Sequence, residues 1–413
     1  MTRYFMTFSY LGTKFAGLQR QPRNITVQGV LEYALRTVLR IPFGIPTTIH
    51  TSSRTDSGVH AIMNAATVTL PPIDTRDGSV RFPKENNALY SDTGRAKPPV
   101  LGVNEDPPYD PDYLCAALNH LLWDLSLDVR VTHVRAVAHG FCPRRHARAR
   151  TYLYRIAVLK PEVSRALEDA PVLSKNPGSI APLVEQNRSW PIDSDFDASR
   201  VAEACRFFEG THNFGSFTGK VAVVDRRQAM ENYSDPYDKK KMARYVPPHV
   251  RTTMGMTSFL RHLFVCRLDP GQSMFDPAHD PAASAFDYYD FTFIARSYLY
   301  NQIRRIVGTL VAVGQHTIDL DDIRWLLDNP TATSWDRYYQ RIRLAPPYGL
   351  YLKHIQYDES DFDNPRPNFI SHLTDEKSDD DDDIDDDCEF QGNDDYSSDA
   401  VSEADQISLR EMS

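Results

Sequence analysis

Residues 3–10, Arg-Tyr-Phe-Met-Thr-Phe-Ser-Tyr, crowd aromatic and β-favouring types together and predict a strand. Gly12 and Gly17 then punctuate a loop. From Val27 the period changes. Val27, Val30, Leu31, Ala34, Leu35 and Val38 recur at helical spacing and give a helix one apolar face. Thr26 stands where an N-cap belongs, and Pro42 stops the run. A strand over 65–70, a helix over 111–122 and a strand over 129–137 follow. Residues 151–158 alternate with period two, which puts Tyr152, Tyr154, Ile156 and Val158 on one face. Beyond them the pattern predicts a helix over 199–208 closed by Gly210, strands near 259–268 and 288–295, and an amphipathic helix near 297–313. A last strand is expected near 350–357.

Strand–helix alternation with meandering strands indicates an α+β fold. Residues 71–108, rich in Pro, Gly, Asn and charge, read as a surface insertion. The polar stretches 161–195, 226–250 and 269–285 exceed the usual connection length and read as insertions or mobile loops. The expected division is an N-terminal half over 1–145, a C-terminal half with insertions over 146–358, and a tail over 373–413. No run of about 18 apolar residues predicts a membrane span. The first strand opens so near the N-terminus that no signal or transit peptide is expected before it. Cytoplasm, nucleus and mitochondrion all stay open as compartments.

Net charge changes the picture once it is divided. The chain carries −10, but residues 374–413 hold 17 acidic against 2 basic residues, so the first 373 contribute +5. The body is mildly basic. Its acidity belongs to a tail too charged to bury a core, for which disorder and a solubilising role are expected. The five cysteines lie far apart with no CxxC pair, and read as small buried hydrophobes in a reducing compartment rather than as zinc ligands.

The densest chemistry lies in Ser52-Ser53-Arg54-Thr55-Asp56-Ser57-Gly58-Val59-His60-Ala61. Asp-Ser-Gly alone is an ordinary turn whose carboxylate accepts backbone N–H groups. An Asp held close to an electrophilic carbon can also act as a nucleophile. Arg54 and His60 have bland readings too, as a solvated arginine and a hydrogen-bonded core histidine. Further on, Arg144, Arg145, Arg148 and Arg150 crowd into seven residues ahead of Tyr152, a patch suited to phosphates or to a solvated face. Arg304 falls off the apolar stripe of its predicted helix.

The string Arg-Thr-Asp-x-Gly-Val-His-Ala resembles the active-site motif of the TruA-type pseudouridine synthases. Ala147-x-x-Arg150-x-Tyr152-x-Tyr154 is similar to that family's second motif, and Ile303-Arg304-Arg305-Ile306-Val307-Gly308 to its third. Gly17-Leu18-Gln19-Arg20-Gln21 matches a further stretch, with Leu18 where the family has tryptophan. Gly210-Thr211-His212-Asn213-Phe214 and Gly349-Leu350-Tyr351-Leu352 also correspond, so the matches run from about 4 to 355.

The resemblance implies two similar α+β halves forming a mixed, mainly antiparallel sheet with a central RNA-binding cleft. It implies an isomerase that turns uridine into pseudouridine in RNA, most of all tRNA, without metal or organic cofactor. Asp56 would be the catalytic carboxylate and nucleophile, Tyr152 would stack on the target base, and Arg304 would pair with the aspartate, with Arg305 as the alternative register. Arg54, His60, Arg20, Arg144, Arg148 and Arg150 would contact RNA, and the protein would be a homodimer. A catalytically silent RNA-binding protein on the same fold is the alternative. A two-carboxylate glycosidase is a third reading, for which the turn offers no second acid.

Overall fold

The computed structural model describes residues 2–41, 47–70, 108–168, 176–219, 259–276, 278–331, 333–338 and 340–366. The expected acidic tail, the 226–250 stretch, Pro42 and almost all of the 71–108 insertion lie outside the described residues. In chain order the elements used below are β1 (Thr2–Tyr10), α1 (Val27–Leu39), β2 (Ile49–Thr51), β3 (His60–Leu70), α2 (Pro111–Asp124), β4 (Val129–Val137), β5 (Ala149–Leu159), α3 (Pro161–Glu168), β6 (Trp190–Ile192), α4 (Ala198–Cys205), β7 (Gly210–Asn213), β8 (Leu260–Pro270), β9 (Phe286–Ala295), α5 (Gln302–Gly314), α6 (Leu320–Asp328) and β10 (Leu350–Gln356). The fold is α+β, and its strand pairs are mixed and mainly antiparallel. They fall into two compact units. One takes the chain as far as Arg150 and resumes at Tyr351; the other is Thr151–Leu350.

In the first unit β1 pairs antiparallel with both β3 and β4, and β2 adds to β3. The last strand, β10, returns to lie parallel to β3, with Tyr351 opposite His60. That return departs from the linear division at 145/146, because a strand's place in a sheet is not encoded by its place in the chain. β1 is buried on both faces. Tyr4, Met6 and Phe8 line one, while Phe5 packs among Phe141, Tyr357 and Phe362 on the other. Each such ring contributes about 1.5–3 kcal/mol on burial, which makes this strand the unit's axis.

The helices begin where the cap residues stand. Thr26 accepts from Gly29 N–H to open α1, and Asp110 from Tyr113 N–H to open α2 with Pro111 in its first turn. α1 buries Val27, Val30, Leu31, Ala34 and Leu35, as its spacing predicts, but Leu39 is buried where Val38 is expected, Val38 being half-buried, and the helix ends on Arg40 in the left-handed region.

In the second unit the strand order is β5-β9-β8-β7, antiparallel at β8/β9 and β7/β8, with β6 parallel to β5. Stretch 161–195, expected as a loop, carries α3 and β6, elements too short to show periodicity. α5 starts at Gln302, five residues after the expected start, because Asn301 is left-handed (φ 60°) and cannot continue a helix. It is buried almost all round. Only Arg304 among its residues is half-exposed. Among the described residues no helix is long and apolar enough to cross a membrane.

Candidate active site

Asp56 starts a β-turn closed by Val59 N–H donating to the Asp56 carbonyl at 3.1 Å. Gly58 sits at the third position with φ +80° while Ser57 stays at negative φ, the arrangement of a type II turn. The turn is held from several sides. Tyr10 Oη and Thr55 Oγ1 lie 2.6 Å apart, and Leu18 N–H donates to the Thr55 carbonyl at 3.1 Å. Ser57 Oγ donates to the Phe15 carbonyl at 3.2 Å. Asn64, fully buried, donates from Nδ2 to the Ser53 carbonyl at 3.0 Å. Burial raises the Tyr10 phenol to about 12, so it stays a neutral strut at physiological pH. Against this frame Asp56 itself is only half-buried. The backbone is fixed and the carboxyl is presented.

The 12–20 loop comes close because of two glycines. A Cβ on Gly12 would meet the Val59 carbonyl at 2.0 Å, and one on Gly17 would meet the Thr55 carbonyl at 3.0 Å. Leu18, where the resembling family has tryptophan, is wholly buried and keeps the loop's apolar anchor.

Two of the residues expected at RNA are buried instead. His60 is 1% exposed, accepts from Gly12 N–H at Nδ1 (3.0 Å) and stacks on Tyr351. Arg150 is 8% exposed. It donates from Nε to Ser53 Oγ (2.6 Å) and from Nη2 to the Ser52 and Arg144 carbonyls (3.0 and 3.1 Å). Both brace the Asp56 turn from behind, and the bonds they make are to the protein. Arg54, Arg20 and Arg148 are exposed, and Arg144 is half-buried. Arg20 pairs with Glu32 at 3.2 Å and Arg148 with Asp358 at 2.8 Å.

The second unit holds Tyr152 and Arg304. Tyr152 shares the inner face of β5 with Tyr154 and Ile156, all buried, and meets Tyr298 edge to face at 5.1 Å. Arg304 donates from Nε to the Ala345 carbonyl (2.8 Å) and from Nη1 to Asn301 Oδ1 (3.0 Å). Those two bonds orient the guanidinium and leave Nη2 uncommitted among the described residues. Arg305, the alternative register, is a structural residue. It is buried, donates to the Ser216 carbonyl and lies 4.4 Å from the Trp335 ring centre. Tyr154 supports the strap that carries Ala345. Its hydroxyl donates to the Pro346 carbonyl at 2.8 Å, and Gly349 leaves room for its ring.

Asn301, Ala345 and Tyr298 were not singled out from the sequence. Asn301 offered a signal, since it precedes a helix as a cap residue does. Its side chain, however, caps nothing and holds Arg304 instead.

Residues 204–358 match the family model described as tRNA pseudouridine synthase. The tRNA pseudouridine synthase-like 1 of Xenopus laevis is 30% identical over 365 residues, covering 86% of this chain and 91% of that protein. The chain belongs to the tRNA pseudouridine synthase family. Its Homo sapiens relative of the same description is 27% identical over 86% of this chain and 90% of its own length. The tRNA pseudouridine synthase A of Streptococcus gordonii, also 27% identical, aligns over 87% of this chain and 100% of its own. As a pseudouridine synthase the protein is an isomerase whose substrate is RNA.

Proposed function

We propose that this synthase converts uridine in tRNA to pseudouridine with Asp56 as its catalytic carboxylate and nucleophile, Tyr152 against the target base and Arg304 as the catalytic guanidinium. In the reaction the N1–C1′ bond of the nucleotide breaks, the uracil turns, and a C5–C1′ bond forms. C5 gives up its proton and N1 gains one, so atoms and oxidation state balance. A stacked uracil has no room to turn, so the base leaves the helix first, at a cost of roughly a few kcal/mol. A carboxylate on a rigid turn suits this chemistry, because little further ordering is needed to bring it to an extruded nucleotide.

The observation that carries the reading is the Asp56 turn, pinned at Thr55, Ser57 and Val59 while its acid stays half-exposed. Arg54, Arg20, Arg144 and Arg148 are the proposed RNA contacts. The ion pair of Arg148 is exposed and worth about 0–1 kcal/mol, so a phosphate can replace its carboxylate cheaply, whereas Arg20 reaches out from the buried carboxylate of Glu32. The working enzyme is read as a homodimer, as the resemblance implies, and sedimentation tests that point.

The decisive experiment incubates unmodified tRNA with the protein and analyses the digested nucleosides. Wild type should form pseudouridine, while Asp56→Asn should form none and keep its tRNA affinity within several-fold. Turnover by Asp56→Asn near the wild-type rate would remove Asp56 from the mechanism.

A further inference from the structure

In the second unit a cleft of about 150 Å³ opens beside α5, lined by Gly308 and Val311 of that helix and Gln315 at its C-terminal cap, together with Asp193, Arg341 and Arg343. Arg304, Gly308, Val311 and Gln315 recur at i, i+4, i+7 and i+11 and therefore share one face of α5. The cleft runs along the face that carries Arg304, starting about 6 Å and ending about 16 Å from it along the axis. The wall opposite is the strap around 341–345. It lies directly on the helix, since a Cβ on Gly308 would come within 2.1 Å of the Arg343 carbonyl oxygen. Ala345 exchanges backbone and side-chain bonds with Arg304 at the near end.

Arg341 and Arg343 stand two residues apart on this strap and are both exposed. Neither guanidinium has a hydrogen bond or ion pair among the described residues, and Asp193 is the one carboxylate among the lining residues. Two uncommitted planar forks at a concave site, with the Gln315 amide among the other lining groups, match the oxygens of a phosphodiester. We propose that Arg341 and Arg343 seat a backbone phosphate of the tRNA substrate in the α5 cleft, on the same helix face as Arg304. The proposal rests on the reading of activity and of Arg304 given above.

The test is the Arg341→Ala/Arg343→Ala double variant of the full chain, assayed on unmodified tRNA between about 50 and 200 mM salt. The seat predicts KM raised at least fivefold with kcat changed less than twofold. It also predicts a plot of log KM against log salt shallower by about 1 per lost phosphate contact. The paired Arg→Lys variant, which keeps charge without the fork, should recover most of the salt slope. Because both side chains are exposed, the melting midpoint should follow wild type. A KM and salt slope equal to wild type overturn the seat, as does a loss confined to kcat, which would make the strap a support for α5 alone. If wild type forms no pseudouridine, the functional reading fails instead. Direct tRNA binding by the same variants then decides the seat on its own.

Discussion

Asn301 and Arg304 are joined by a 3.0 Å hydrogen bond from the arginine Nη1 to the asparagine Oδ1, and Asn301 makes it from a left-handed backbone. The conformation ends the preceding loop, and the side chain aims the guanidinium. Glycine adopts the same backbone without strain but offers no acceptor. Asn301→Gly should therefore leave the melting midpoint nearly unchanged while lowering kcat about tenfold, the order expected for a hydrogen bond to a charged group. Melting curves and single-turnover assays separate the outcomes. A lower midpoint with normal kcat would confine Asn301 to starting the helix.

Gly17 tests whether the frame around Asp56 matters to rate. Its φ of +110° and the 3.0 Å approach to the Thr55 carbonyl leave no place for a methyl group. Gly17→Ala is expected to push the loop off the turn, cutting kcat at least tenfold with about 1–3 kcal/mol lost from stability. Urea titration and steady-state kinetics at a temperature where the variant is folded provide the check. Unchanged kcat would mean the turn holds its shape without the loop.

Local pattern made much of this molecule readable. Thr26 and the apolar stripe after it define α1, and the alternation from Thr151 puts Tyr152, Tyr154 and Ile156 on a single buried face. What stayed hidden depends on partners distant in the chain. Nothing near Tyr351 says that β10 will return to lie beside β3, and nothing near Arg150 says that Ser52 and Ser53 will consume its donors. Charge clustering correctly marks a basic segment but does not distinguish an arginine facing solvent, such as Arg148, from one turned inward. Asn301 was missed in a different way, because it falls inside the helix expected from 297, and its side chain serves an arginine one turn on rather than a cap.

Arg150 and Arg148 should accordingly behave in opposite ways. Arg150→Met strands the Ser52 and Arg144 carbonyls and Ser53 Oγ in a buried setting, and is expected to cost about 2–4 kcal/mol of stability. The salt dependence of tRNA binding should not change. Arg148→Met, at an exposed pair, should cost little stability and make that dependence shallower by about 1. Parallel melts and binding titrations over a salt series check both, and a shallower salt slope for Arg150→Met would return that residue to the RNA surface.

Asp361 gives the fold a pH-dependent anchor. Its buried carboxylate receives Arg366 Nε at 2.8 Å and Nη2 at 2.6 Å, bonds that hold its pKa below the ordinary carboxylate value. A depressed folded-state pKa means the unfolded chain binds the proton more readily. The pair's stabilisation is therefore fully present above about pH 4 to 5 and is lost as pH falls through the lower folded value. The same segment is tied down through Arg135 to Glu359 and Asp363 and through Arg148 to Asp358. Those pairs are exposed and contribute little individually. Asp361→Asn should thus lower the melting midpoint clearly at pH 7, and the gap to wild type should narrow steadily below pH 4. Calorimetry over that range is the measurement. A gap that stays constant with pH would show that Asp361 acts through packing and neutral hydrogen bonds rather than through its charge.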